Sequence, residues 1–556
     1  MIENLRRQNS RRISLVTGMI LVIGIGNIIN FSTALESKYS NSDYFTTNAE
    51  NEYLEFSTYF GSSGDEMGIS AGLHYVADTV VDSQGNIIIV GRSAADDFPI
   101  VSAYQDTRGG SIDATVSKFS PNGTLLFSTY LGGFDDDWAN CVTLDSSNNI
   151  IIGGVTGSDN FPLKNPYQDT CLGGTESNAD CFITKLSSDG QSLLYSSYFG
   201  GTNSDWCYAI ATDSSNRIAF TGTTFSGNLP MVNANMSNIR GNLDAYVVVL
   251  AANGQSVVMS SYLGSSYSDA GRGIAFDSHG DVLVSGHISV CSLGTPDAFQ
   301  QVHAGGGADA YLAKFDLDGT LEYLTYFGGN AYDRANDLVI DSEDNVIITG
   351  YTQSTNLHTL NAFQNFTQGS FESFVAKFTN DGTSLIFSSY FGGTNQDIGY
   401  GVTVDAADNV LVTGETVSSD FPTYCNFSSP RGKSDVYLGK FKKDGDLLFS
   451  VALGGSELDL GAELVSCDAN SIAIVGFTLS YNFPTKNAYQ ETYGGACDLF
   501  LLRIETTDMD IEPIVPITET LTPTTEEASY RLLSLLFLII PVTTFVNKRR
   551  KETGSF

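Results

Sequence analysis

Residues 56–61 read FSTYFG, and the phrase returns six times, as FSTYLGG from Phe127, YSSYFGG from Tyr195, MSSYLGS from Met259, YLTYFGG from Tyr323, FSSYFGG from Phe387 and FSVALGG from Phe449. Successive starts lie 71, 68, 64, 64, 64 and 62 residues apart. A fixed period of this length in aromatic, alternating sequence marks stacked copies of one supersecondary unit rather than separate domains.

Three further phrases keep step with it. One is a strand ending in glycine, from IIIVG at Gly91 through Gly154, Gly222, Gly286, Gly350 and Gly414 to IAIVG at Gly476. Another starts on an acidic residue, at Asp113, Asp180, Asp244, Asp309, Glu372, Asp435 and Asp498. The last ends in Asp, at Asp82, Asp145, Asp213, Asp277, Asp341, Asp405 and Asp468. Turns such as DSQGN, DSEDN, PNG and NDG separate them, and Asn-Gly or Asp-Gly supplies the positive φ that a tight hairpin needs. Four short strands per repeat make one propeller blade.

We call the Asp-ending strand a, the Gly-ending strand b, the acidic-start strand c and the FSTYFG strand d. The chain opens on a lone d at Leu54–Phe60 and finishes on a lone c at Leu499–Ile504. Pairing the two completes a blade and closes the ring, leaving no bare edge. The expected fold is all-β, a seven-bladed β-propeller of four-stranded blades over residues 53–505.

These motifs resemble the SBBP family of β-propeller repeats, which occur in secreted and surface proteins of bacteria and archaea. The resemblance rests on Gly-Gly after the aromatic strand, the Asp turn, Gly-Thr or Gly-Tyr-Thr, and the recurrent Asp-Phe-Pro. The GH…WD signature of WD40 repeats and the SxDxGxxW box of sialidases are absent. The resemblance implies a fold and little about activity, since most members have no assigned chemistry.

Composition agrees with an all-β chain: 56 Gly, 34 Phe and 27 Tyr in 556 residues, with few charges. Net charge is −35, and the stretch between residues 37 and 529 holds 19 basic against 60 acidic side chains. Such a surface repels phosphate backbones, so nucleic acid is excluded as a partner.

The ends carry their own signals. Residues 1–34 place Arg6, Arg7, Arg11 and Arg12 before an apolar run and reach Ser32-Thr33-Ala34, the order of a secretory signal peptide or an N-terminal anchor. A linker covers 35–52. Residues 506–529 are rich in Thr, Pro and Glu and read as a stalk. A transmembrane helix is expected at 530–547, with a basic cytoplasmic tail at 548–556. The expected location is therefore the cell membrane, with the propeller extracellular and the C-terminus cytoplasmic.

Export makes disulfides relevant. Eight cysteines show no C-x-x-C pair, and Cys171 with Cys181, in one loop, are the candidate disulfide. Sequons at Asn235, Asn365 and Asn426 are candidate glycosylation sites; a fourth at Asn122 falls in a tight hairpin.

An acidic residue stands in each d–a crossing: Glu66, Asp137, Asp205, Asp269, Asp333, Asp397 and Asp459. Seven-fold symmetry makes these a candidate metal ring, with calcium as the candidate cofactor. The reading the sequence favours is structural, each carboxylate accepting backbone N–H bonds at a blade junction. The five histidines show no ligand spacing, and no catalytic constellation emerges. The expected function is therefore a non-catalytic binding, adhesion or scaffold module. Its long, varied b–c loops and d–a crossings form the face presented to an extracellular glycan or protein. The alternatives are a secreted polysaccharide hydrolase or lyase and a self-assembling envelope component.

Overall fold

The computed structural model describes residues 53–64, 77–173, 179–423 and 430–506, all within the unit Met1–Ile511. The signal peptide, stalk, transmembrane helix and tail lie outside the described residues, as do Glu66, Cys425 and Asn426. No described helix is long and apolar enough to cross a membrane.

Seven four-stranded antiparallel sheets follow one another, each a blade. Their inner a strands are Asp78–Val81, Asp137–Leu144, Asp205–Thr212, Ala270–Phe276, Asp333–Ile340, Asp397–Val404 and Asp459–Ser466. We number the blades 1 to 7 in that order. The seventh is completed by the N-terminal strand: Leu54–Phe60 pairs with Asp498–Glu505, Leu54 opposite Ile504 and Phe60 opposite Leu499. The ring is closed at the seam expected from the lone first and last strands.

The repeated residues build the blades. The tyrosine of the FSTYFG phrase is buried and donates its hydroxyl to a carbonyl just beyond strand b. The pairs are Tyr59 to Ser480 at 2.8 Å, Tyr130 to Ala95 at 2.6 Å, Tyr198 to Ser158 at 2.8 Å and Tyr390 to Ser354 at 2.8 Å. A buried phenol is stable only when its polar tip is bonded in this way. The phenylalanines fill the gaps between blades; Phe60, for instance, meets Phe98 and Phe119 edge-on, both at 5.0 Å.

The Asp turns are structural. Asp82 accepts from the N–H groups of Gln84 and Asn86 at 2.8 and 2.9 Å and pairs with Lys118 of strand c at 2.7 Å. Asp341 does the same with Lys377 at 2.7 Å. Blade 3 has Val249 where the lysine would stand, and Arg217 of the turn itself takes Asp213 instead.

One expectation is overturned. No disulfide joins Cys171 to Cys181; both keep their thiols. Adjacent strand residues point to opposite faces. Cys171 lies beside the carboxylate of Asp180, while Cys181, the next residue, points the other way into the core shared with Cys141 and Cys207. Their separation in sequence does not reveal the side each occupies.

Candidate functional site: the central channel

The inner strands surround a central cavity of about 450 Å³. In six blades the a–b register slips at one place: Ala139/Cys141, Cys207/Ala209, Gly271/Gly273, Ala335/Asp337, Gly399/Gly401 and Gly461/Glu463. A β-bulge leaves one residue unpaired and re-aims its side chain. The residues so released, Asn140, Tyr208, Arg272, Asn336, Tyr400 and Ala462, all line the cavity.

The neighbouring strand must give way to each bulge. A Cβ on Gly154, Gly222, Gly286, Gly350, Gly414 or Gly476 would be driven into the carbonyl oxygen of Trp138, Trp206, Ala270, Arg334, Ile398 or Leu460 respectively. The glycine ending each strand b thus makes room for the bulge that dresses the channel wall.

That wall is not seven-fold. Blades 1 to 5 carry an arc of aromatic rings and guanidiniums, of which Tyr208, Arg272, Arg334, Tyr351 and Phe371 line the cavity. Arg92 Cζ lies 4.5 Å over Trp138, Trp138 meets Trp206 at 6.4 Å, and Trp206 meets Tyr208 at 6.1 Å. Arg272 Cζ sits 4.0 Å over Tyr208, and Arg334 Cζ 5.9 Å over Tyr351. Tyr351 stacks on Tyr332 at 6.0 Å and meets Phe371 at 5.6 Å. Burial and the nearby Arg334 together pull the Arg272 guanidinium down to about 9. Burial, Arg334 and Arg272 hold His287 neutral, its pKa well below the usual histidine range.

Farther along the inner strands stand Asp78, Asp337 and Glu463. Burial pushes Asp78 and Asp337 up to about 7 and Glu463 well above the ordinary carboxylate range, with mutual repulsion adding for Asp78 and Glu463. Asp78 accepts the Val142 N–H at 2.7 Å and Asp337 the Val402 N–H at 2.8 Å, each from the next blade's inner strand. Asn336 donates across the same blade 5–6 junction to the Gly399 carbonyl at 2.7 Å, and Asn140 across the next junction, between blades 2 and 3, to the Cys207 carbonyl at 2.6 Å.

The candidate metal ring sits elsewhere. Asp137, Asp205, Asp269, Asp333, Asp397 and Asp459 are fully buried at the d–a crossings. Each ties the crossing from the preceding blade to the end of its own blade's strand b: Asp137 accepts Gly133 N–H at 2.6 Å and Ser158 Oγ–H at 2.9 Å, and Asp459 accepts from Gly455 and Ser480 at 2.6 and 2.8 Å. The strand-c carboxylates face them, so Gly132 is pressed between Asp113 and Asp137. Among the described residues no group of three or more His, Cys, Asp or Glu is placed to hold a metal ion. Asn235 and Asn365 are exposed on b–c loops.

The family model described as a β-propeller repeat, SBBP, matches residues 322–358 and 386–422. These two stretches match the SBBP β-propeller repeat. Each matched SBBP stretch runs from the d strand of one blade through the a and b strands of the next, the segment containing the Gly-Gly, the crossing Asp and the bulge glycine. A curated relative, an uncharacterized WD repeat-containing protein of Acanthamoeba polyphaga mimivirus, is 24% identical over 359 residues, covering 55% of this chain and 24% of that protein. The chain thus spans about a quarter of that relative's length. Among solved structures, a protein of unknown function from Dyadobacter fermentans aligns at TM-score 0.35 and 12% identity, over 82% of this chain and 98% of that one. The WD40 β-propeller domain of Doa1 aligns at TM-score 0.41 and 11% identity, over 83% and 99%. BamB from Moraxella catarrhalis aligns at 0.34 and 11%, over 81% and 99%. At such scores these likenesses say nothing of function.

Reading the sequence for repetition missed the channel, because its residues are the ones that vary. A signal was present: both tryptophans of the chain directly follow a crossing Asp, at Trp138 and Trp206, and Arg334 follows a third.

Proposed function

We propose that this SBBP repeat protein is a non-catalytic binding or scaffold module, displayed outside the cell, that engages a glycan or protein through its loop face. One observation carries the reading: large apolar side chains stand in solvent on that face. Phe134 is 75% exposed, Tyr481 73%, Tyr267 62% and Phe366 60%, all on b–c loops or d–a crossings. Aromatic rings in solvent on a rigid scaffold mark recognition surfaces. The opposite face is made of short, uniform turns whose Asp, Asn and Gly are consumed by the turns themselves. Display outside the cell rests on the basic-apolar start of the sequence and the stalk-like stretch before residue 530.

The test is to screen full-length protein against glycan arrays and polysaccharide hydrolysis assays, beside a variant with Phe134, Tyr267, Phe366 and Tyr481 changed to Ser. Binding lost in the variant without loss of fold supports the reading. Turnover of a polysaccharide by the parent overturns it.

A further inference from the structure

We propose that the Arg272–Arg334 wall of the central channel is a binding site for a hydroxylated ring bearing a single carboxylate, a uronic acid in its simplest form. This goes beyond the loop-face reading and does not require the loops to engage anything.

The cations come first. In a chain with 63 acidic and 28 basic residues, buried lysines are committed to carboxylates, as Lys118, Lys314 and Lys377 are to Asp82, Asp277 and Asp341 at 2.7, 2.8 and 2.7 Å. Arg334 departs from this pattern. Among the described residues it enters no ion pair, and its buried Nε has no hydrogen-bond partner. It lines the cavity with Arg272, and the two guanidiniums repel each other there. A stacked guanidinium covers its face and leaves its N–H edge for a forked contact with a carboxylate. An anion between the two would relieve the repulsion and take up guanidinium N–H groups on the cavity side.

The remaining lining selects the rest of the ligand. Tyr208, Tyr351, Phe371 and Tyr400 line the cavity with aromatic rings, whose apolar carbon suits the C–H groups of a sugar. Asp78, Asp337 and Glu463 also line the cavity, where their carboxyl groups can exchange hydrogen bonds with hydroxyls, and the partial negative charge kept by Asp78 and Asp337 opposes a second anionic group. The lining therefore disfavours inorganic sulfate and phosphate and suits a monoanion rich in hydroxyls. A cavity of about 450 Å³ is of ligand size.

Both tryptophans of the chain belong to the arc, Trp206 in ring contact with the lining residue Tyr208, so emission from the full-length protein responds to changes at the site. Titration with glucuronate is expected to change that emission saturably, with matching heat in calorimetry, while glucose and sulfate give at least tenfold weaker responses. Arg334→Gln and, separately, Arg272→Gln are each expected to weaken glucuronate binding at least tenfold with an unchanged far-ultraviolet spectrum. If one variant misfolds, the other decides. No saturable response to glucuronate, equal binding by a folded variant, or equal binding of glucose or sulfate would overturn the proposal. The four loop-face substitutions are expected to leave glucuronate binding intact, which separates failure of this site from failure of the loop-face reading.

Discussion

The Sγ atoms of Cys141 and Cys207 lie 3.6 Å apart, on the inner strands of adjacent blades, in the space that Gly153 leaves by having no side chain. Burial raises both thiols above the ordinary cysteine range, and a thiol without its thiolate is a poor nucleophile. We expect iodoacetamide at pH 8 to spare Cys141 and Cys207 in the native protein and to label both after unfolding. Refolding with oxidised glutathione is expected to couple them: two thiols become one disulfide, and the glutathione disulfide is reduced to two thiols. Peptide mass spectrometry reads both results, and rapid native labelling of either thiol would contradict the first.

Replacing Gly350 by Ala puts a methyl into the carbonyl oxygen of Arg334, where backbone must move. The expected cost is about 3 kcal/mol or more. Gly227 is the control: its nearest neighbour would be Ile239 Cγ2 at 3.5 Å, so Gly227→Ala should stay within about 1 kcal/mol of the parent. Urea unfolding compares the two, and equal midpoints would show that the bulge does not depend on the glycine.

The Lys377–Asp341 pair at 2.7 Å is almost wholly buried, with side chains 2% and 1% exposed. Removing one partner strands the other charge, so Lys377→Met is expected to cost about 3–5 kcal/mol. Adding Asp341→Asn should restore part of that loss. A double variant no more stable than Lys377→Met would disprove the compensation.

Stability should fall as pH rises above 4. Burial raises Asp137, Asp180 and Asp309 to about 7, and Asp205, Asp459 and Asp498 to about 6. Between an unfolded value near 4 and those folded values the native state binds more protons, so their contribution is full below pH ~4 and is lost through 6–7. The lysine-paired Asp82 and Asp341 are shifted downward, so their contribution is lost only in stronger acid. Tm by calorimetry is expected to be higher at pH 5 than at pH 8, by on the order of 5 °C; the reverse order would refute the assignment.

The ring was legible because its builders repeat. Tyr130, Asp82, Gly154 and their counterparts each satisfy a local demand that every blade shares, so periodicity exposes them. The seam was legible for the same reason, since Leu54–Phe60 and Asp498–Glu505 are each half of a familiar pair. The channel was not legible, because Tyr208, Arg272 and Asn336 occupy one bulge position with different chemistry in successive blades. Periodicity treats such variation as noise. Cys171 and Cys181 fail for another reason: pairing depends on which face of a strand a side chain takes, and sequence distance carries no such information.

The seam has a mechanical consequence. Leu54 and Ile504 sit at the same end of an antiparallel pair, so tension entering through these two residues pulls the strands apart like a zipper. Inter-strand hydrogen bonds lie across the strands, and under such a pull they break one after another from Leu54 toward Phe60 instead of sharing the load. Released, the strand remains on its tether at high local concentration and can close again. Under such a load the seam is expected to open before the sheets of the other six blades.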